Sequence, residues 1–240
     1  MKIGLVAATM LDNNLDHQIN QIKYFLQRCK GYDLLCFGES FLHGFEGLTW
    51  DYSLDRKRAL VIDGPITAKL QGLAKSNACG LSCGFIERSD PYIYSSNMVI
   101  DAQGKIINVY RRVTRGWKEP TAGPAYREGE ETSNFNYLGR RFATAICGDL
   151  WDDAVLAEYE KVELDAFLWP VYIDYSVEKW RVEFPEYAER VSSLNCPVLM
   201  INSFVSHPKR AEGGCAVFQR GKVIGLLPPG SRGVLEFKLS

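Results

Sequence analysis

The chain has 240 residues, a hydrophobic content of 46% and a formal net charge of -1, enough apolar material for one large domain over residues 1–240 and no basic footprint for nucleic acid. No apolar run is long enough to span a bilayer, and residues 1–8 lack a signal peptide's long apolar region, so a cytoplasmic protein acting on small molecules is expected, with no membrane partner. Seven cysteines, mostly in apolar contexts, read as reduced thiols; Cys79 and Cys83 lack a second pair and the histidines at 17, 43 and 207 are scattered, so no metal is expected.

Residues 2–8 read as a strand, and beyond the Leu11-Asp-Asn-Asn turn Ile19, Ile22, Phe25 and Leu26 recur at helical spacing. An apolar strand at 34–37 then ends in Gly38 and Glu39. A carboxylate flanked by Phe37, Phe41 and Phe45 should be partly desolvated, which raises its pKa and suits it to accept and return a proton. A helix-capping or salt-bridged glutamate is the plainer alternative. Nearby His43 reads as a surface or packing residue. Pro65 opens a helix with leucines on one face as far as Ala74, leading to a strand at 80–85 and completing a β-α-β step. Two β-rich runs, 92–100 and 105–110, flank a turn at 101–104 and bring in antiparallel pairing.

Residues 142–146 run apolar into Cys147, after which Gly148, Asp149 and Asp152 turn the chain polar and favour a helix start. A thiol at such a bend has an oxyanion-stabilising amide beside it at Gly148, although an inert buried thiol is the commoner fate of a lone cysteine. Parallel strands bring their carboxyl ends to one edge, so Glu39 and Cys147 are expected to be neighbours. A helix at 154–162, a strand at 166–171, a helix at 178–195, a strand at 197–203, a hairpin of 214–218 with 222–227 and a last strand at 233–237 follow. Two halves that each pass from β-α units into hairpins predict an α/β fold, an α-β-β-α sandwich of two mixed β-sheets flanked by helices.

The ordered segments Asp33-Leu-Leu-Cys-Phe-Gly-Glu39, Asp63-Gly-Pro-Ile66, Cys83-Gly-Phe-Ile-Glu87, Tyr110-Arg-Arg112, Ile146-Cys147-Gly-Asp149 and Leu168-Trp-Pro170 resemble those of the nitrilase superfamily of carbon-nitrogen hydrolases, over nearly the whole chain. The resemblance implies a Glu-Lys-Cys triad, a thiolate that attacks an amide or nitrile carbon, an acyl-enzyme opened by water, no cofactor, and a homodimer or higher homo-oligomer. Glu39 matches the general base and Cys147 the nucleophile. The lysine slot, two residues after Tyr110, holds Arg112, which can stabilise an oxyanion but cannot readily donate and recover a proton.

Lys118 is the candidate to compensate from a rearranged loop, with a solvated loop charge as its alternative. Glu119, ahead of Glu128, is the nearest match to a second, lysine-orienting glutamate. Trp151 and Tyr172 are candidate walls of an acyl pocket, and Gly148 a substrate-binding amide. The functional expectation is a cysteine-dependent, amidase-like hydrolase that cleaves a small-molecule amide or related C–N bond through a thioester acyl-enzyme, the resemblance favouring amides over nitriles as substrate. The alternatives are a catalytically impaired ligand-binding protein, on account of Arg112, an N-acyltransferase, and a structural assembly protein.

Overall fold

Alternation along β1 (Lys2–Ala7) sends Ile3, Leu5 and Ala7 to one face and Val6 to the other. A strand buried on both faces needs a layer on each side, and the rest of the chain supplies them. The computed structural model describes residues 1–205 and 211–240, so His207 lies outside the described residues.

After β1 come β2 (Thr9–Met10), α1 (Leu15–Arg28), β3 (Leu34–Cys36), α2 (Tyr52–Arg58), α3 (Pro65–Asn77), β4 (Gly80–Ser89), β5 (Tyr92–Ile100) and β6 (Ile106–Arg111). The second half holds β7 (Asn134–Tyr137), β8 (Arg140–Thr144), α4 (Asp153–Tyr159), β9 (Ala166–Val171), α5 (Val177–Arg190) and β10 (Val198–Asn202), then β11 (Phe204–Val205), β12 (Cys215–Gln219), β13 (Lys222–Leu227) and β14 (Gly233–Lys238). One sheet runs β14-β1-β3-β4-β5-β6 and the other β13-β12-β10-β9-β8-β7. Each has three parallel strands at its centre, β1-β3-β4 and β8-β9-β10, with antiparallel strands outside them.

Between the sheets lie Leu5, Leu34, Cys36, Phe142, Leu168, Leu199 and Val217. On the outer face of the first sheet, Ile22, Phe25 and Leu26 of α1 and Leu70 and Ala74 of α3 cover Leu35, Leu81 and Phe85. On the second, Leu156 and Tyr159 of α4 and Trp180, Phe184 and Tyr187 of α5 cover Phe167, Trp169 and Phe218. This is the α-β-β-α sandwich expected from the sequence. Full burial of a residue such as Leu5 or Phe142 contributes about 1.5–3 kcal/mol each.

Local signals set the helix starts: Asn14 caps α1 by accepting from the His17 N–H, Asp152 caps α4 through Ala154 and Val155, and Pro65 stands in the first turn of α3. The sequence reading omits four elements, the two-residue strands β2 and β11 and two longer ones. In α2, a polar stretch is capped by Asp51, and β7 alternates exposed and buried residues. Helix α5 also ends at Arg190 rather than 195, because Val191 and Leu194 turn into the core instead of continuing the spiral. Helix α4 closes at Tyr159, short of the expected 162.

Candidate active site

Strand β3 stops at Cys36, and the chain beyond it is pinned to β4: Phe37 N–H donates to the Ser82 carbonyl (2.8 Å) and Gly84 N–H to that of Gly38 (3.2 Å). A Cβ on Gly84 would stand 2.6 Å from the Gly38 oxygen and 2.8 Å from the Glu39 carbonyl carbon, so only glycine lets the two segments meet. Glu39 is thereby held at the carboxyl end of the central strands, 1% exposed, and its N–H donates across to the Val171 carbonyl of the other sheet (3.3 Å).

Both oxygens of the Glu39 carboxylate are occupied. Arg112 Nη1 donates to Oε1 at 2.9 Å, and the Tyr172 N–H donates to Oε2 at 3.1 Å. Arg112 is itself buried and its Nε donates to Thr114 Oγ1 (3.2 Å). The planar guanidinium thus bridges the end of β6 and the end of β3.

Cys147 follows the end of β8 by three residues and has a left-handed backbone (φ 45°). A non-glycine residue pays about 1 kcal/mol or more for that geometry. The bend is fixed from below by Trp169, whose Nε1–H donates to the Cys147 carbonyl (2.8 Å). The thiol points to the Tyr172 carbonyl (Sγ to O 3.8 Å), and the Glu39 charge is close enough to act on it. The amide of residue 172 donates to Glu39 while its carbonyl accepts from Cys147.

Asp149 ties the two loops together. Its Oδ1 accepts from the N–H groups of Val113 (3.2 Å) and Thr114 (2.9 Å) and from Thr114 Oγ1 (2.8 Å); its Oδ2 accepts from Tyr110 Oη (2.8 Å) and the Ile146 N–H (3.0 Å). One buried carboxylate therefore holds the Arg112 segment against the Cys147 bend. The sequence reading credits Asp149 only with favouring a helix start. The acid two residues after the cysteine was visible, but its five donors come from segments up to 39 residues away.

Electrostatics follow from this burial. Desolvation raises the Glu39 pKa above the ordinary carboxylate value, with Arg112 opposing it, and pushes the Cys147 thiol up to about 12, helped by the Glu39 charge. Near neutrality the sulfur holds its proton beside a hydrogen-bonded carboxylate. Such an arrangement can move a proton from sulfur to oxygen as a nucleophile is needed.

Lys118 lines the same cavity as Glu39, but its ammonium is engaged by other groups. Its ammonium pairs with Glu128 and donates to the Tyr126 carbonyl (3.0 Å), and the Cys147 thiol is directed to the Tyr172 carbonyl instead of to it. The sequence expectation that Lys118 approaches the thiolate is corrected accordingly. Glu128, not Glu119, meets the lysine; Glu119 is exposed at the rim of a cavity of about 130 Å³ lined also by Glu39, Phe45, Trp50, Trp117 and Lys118. Trp151 leans on Tyr187 (ring centroids 5.0 Å apart) and is exposed, so it does not wall this cavity. Tyr172 stacks on Phe45, with ring centroids 4.1 Å apart and planes 4° from parallel.

The loops around the cavity are built on Asp55. This fully buried acid accepts from Thr49 Oγ1 (2.8 Å), the Trp50 N–H (2.9 Å) and Tyr126 Oη (2.7 Å), joining the loop after Glu39 to the loop after Arg112. His43 is sealed as a neutral ring. Its Nδ1 accepts from the Ile86 N–H (3.0 Å), which leaves Nε2–H to donate to the Arg58 carbonyl (3.1 Å), and burial lowers its pKa to about 4. Among the described residues no cluster of His, Cys, Asp and Glu is placed to hold a metal, and no helix is long and apolar enough to cross a membrane.

Known proteins share this framework. The carbon-nitrogen hydrolase family profile matches residues 2–239. A solved structure of an amidase from Nesterenkonia sp. AN1, with acrylamide added to its active-site cysteine, superposes with a TM-score of 0.81 at 17% identity, covering 100% of this chain and 93% of that one. A glutamine-dependent NAD+ synthetase from Acinetobacter baumannii superposes with a TM-score of 0.78 at 18% identity, covering 99% of this chain and 45% of that one. In sequence, a bromoxynil-specific nitrilase from Klebsiella pneumoniae subsp. ozaenae is 32% identical over 91 residues, 34% of this chain and 26% of that nitrilase. An arylacetonitrilase from Hypocrea virens is 33% identical over 86 residues, 33% of this chain and 26% of its own length.

Proposed function

The chain belongs to the carbon-nitrogen hydrolase family, and from that premise we propose that it is a cysteine-dependent, amidase-like hydrolase of small-molecule amides working through a thioester. The observation that carries this reading is the Tyr172 backbone, whose carbonyl accepts from the Cys147 thiol (3.8 Å) while its N–H donates to the buried Glu39 carboxylate (3.1 Å), itself paired with Arg112.

Glu39 takes the Sγ proton as sulfur attacks the amide carbon. The carbonyl electrons move onto oxygen, where the Gly148 N–H and the Arg112 guanidinium stabilise the charge. Collapse breaks the C–N bond, and the leaving nitrogen carries off the proton held on Glu39. Glu39 then accepts a proton from water as its oxygen attacks the thioester; the acid leaves and the proton returns to sulfur. Arg112 never exchanges a proton in this scheme. Its task is to keep Glu39 ionised and to meet the oxyanion, for which a permanent charge is suited. Lys118 lines the cavity with its ammonium held by Glu128, and Tyr172 backs the cavity's Phe45 wall.

The curated relatives being nitrilases, nitriles belong in the assay panel. Ammonia release from small amides, ω-amides, carbamoyl compounds and nitriles, compared between wild type and Cys147→Ala, tests the reading. Turnover that disappears with the sulfur sustains it. A ligand-binding protein is the second reading, favoured by Arg112 in the lysine slot, and silence across the panel with bound ligand retained in Cys147→Ala would select it. A cytoplasmic homodimer of single-domain chains is part of the same proposal.

A further inference from the structure

The Arg112 guanidinium has three nitrogens, of which Nη1 serves Glu39 and Nε serves Thr114. The third, Nη2, lies over the bend that carries the nucleophile. A Cβ built on Gly148 would overlap Nη2 outright and stand 3.5 Å from Cζ, and a Cβ on Gly116 would stand 3.1 Å from the same nitrogen. Torsion does not explain the glycine at 148, because the left-handed residue of the bend is Cys147 and Gly148 has no positive φ. What the glycine provides is room.

We infer that Gly148 and Arg112 form one coupled positioning unit, in which the missing side chain at 148 admits a guanidinium to the site and keeps its Nη2 beside the nucleophile. The inference rests on the amidase-like reading of Glu39, Arg112 and Cys147. A lysine ends in a single nitrogen and has no planar arm to lay over residue 148. Nη2 of Arg112 and a Cβ at 148 are therefore alternative occupants of one space. A methyl at 148 pushes the guanidinium off its bonds to Glu39 and Thr114, and a shorter cation at 112 makes room for that methyl. Gly148 is a positioning residue in this scheme, acting through Arg112.

The test compares wild type, Gly148→Ala, Arg112→Lys and the double variant by amide turnover and by the pH profile of Cys147 alkylation with iodoacetamide. Gly148→Ala is expected to lower kcat by about tenfold or more with little change in KM, as misplacement of a catalytic group does. It should also move the alkylation inflection upward, since the Arg112 charge that lowers the thiol's pKa is displaced. The double variant should exceed Gly148→Ala in kcat and return the inflection to that of Arg112→Lys, a non-additive result expected of residues in contact. Effects that simply multiply, or a Gly148→Ala protein equal to wild type, overturn the inference. Should Gly148→Ala be insoluble, a soluble double variant supports the coupling and an insoluble one overturns it. Alkylation needs no substrate, so wild-type silence toward every amide would defeat the amidase reading while the alkylation profiles still decide the coupling.

Discussion

Arg112 Nη1 and Glu39 Oε1 meet at 2.9 Å with both side chains inside the protein. A buried pair of this kind breaks asymmetrically, because removing one partner leaves the other charge without solvent or counterion. Arg112→Met is expected to cost about 3–5 kcal/mol of stability, read from the urea midpoint, together with loss of amide turnover. An unchanged midpoint would show that the cation is dispensable to the fold.

Glu39→Gln separates the base from the nucleophile. Turnover is expected to fall by about 10²–10⁴, the usual contribution of a positioned proton acceptor. The thiol should nevertheless ionise more easily, its inflection dropping below about 12, because the Glu39 charge is one cause of that high value. Wild-type activity should be lost as pH falls through the Glu39 pKa, which burial places above the ordinary 4.5. A pH-rate profile lacking an acid limb above that value would contradict the role given to Glu39.

Asp149→Asn tests the anchor between the Arg112 segment and the nucleophile bend. The amide replaces one acceptor oxygen with a donor, leaving either the Thr114 group or the Tyr110 and Ile146 pair facing a donor. A loss of about 1–3 kcal/mol in stability is expected. The drop in kcat should exceed any rise in KM, because Arg112 and Cys147 shift together while the cavity walls stay. A purely raised KM would argue that Asp149 serves substrate binding instead.

His43 makes stability depend on pH. Folding holds its pKa at about 4 against an ordinary 6.5, so between those values the unfolded chain binds a proton that the folded protein refuses. Stability contributed by the neutral ring is full above 6.5 and is lost as pH falls toward 4, by about 3 kcal/mol in all. Chemical denaturation at a series of pH values should show this slope in wild type. His43→Asn keeps an acceptor for the Ile86 N–H and has no charge to gain, so its slope should be flatter.

The parts of the site that lie at strand ends were legible, since Glu39 and Cys147 each close an apolar run and parallel topology brings such ends together. Arg112 was visible in the Tyr110-Arg-Arg run. Lys118 was misplaced because a loop lysine reaches many partners equally well on paper, and only the folded loop puts Glu128 and the Tyr126 carbonyl beside it. Asp55 and Asp149 escaped for a related reason: a carboxylate with several backbone donors looks, in sequence, like any capping acid. Strand β7 is different. Its Asn-Phe-Asn-Tyr alternation spans only four residues between turns, too short a run to separate a strand from a loop by period alone.

Residue 172 divides its labour between backbone and side chain. Its N–H grips the carboxylate and its C=O faces the thiol, while its ring is spent on Phe45. Every amino acid except proline carries the same two backbone groups. The side chain here can consequently vary, and with it the Phe45 wall of the cavity that it stacks on, while the backbone contacts to Glu39 and Cys147 stay. On the proposed hydrolase reading, substitutions at 172 are expected to change substrate preference through Phe45, with proline as the one forbidden setting because it lacks the N–H that grips Glu39.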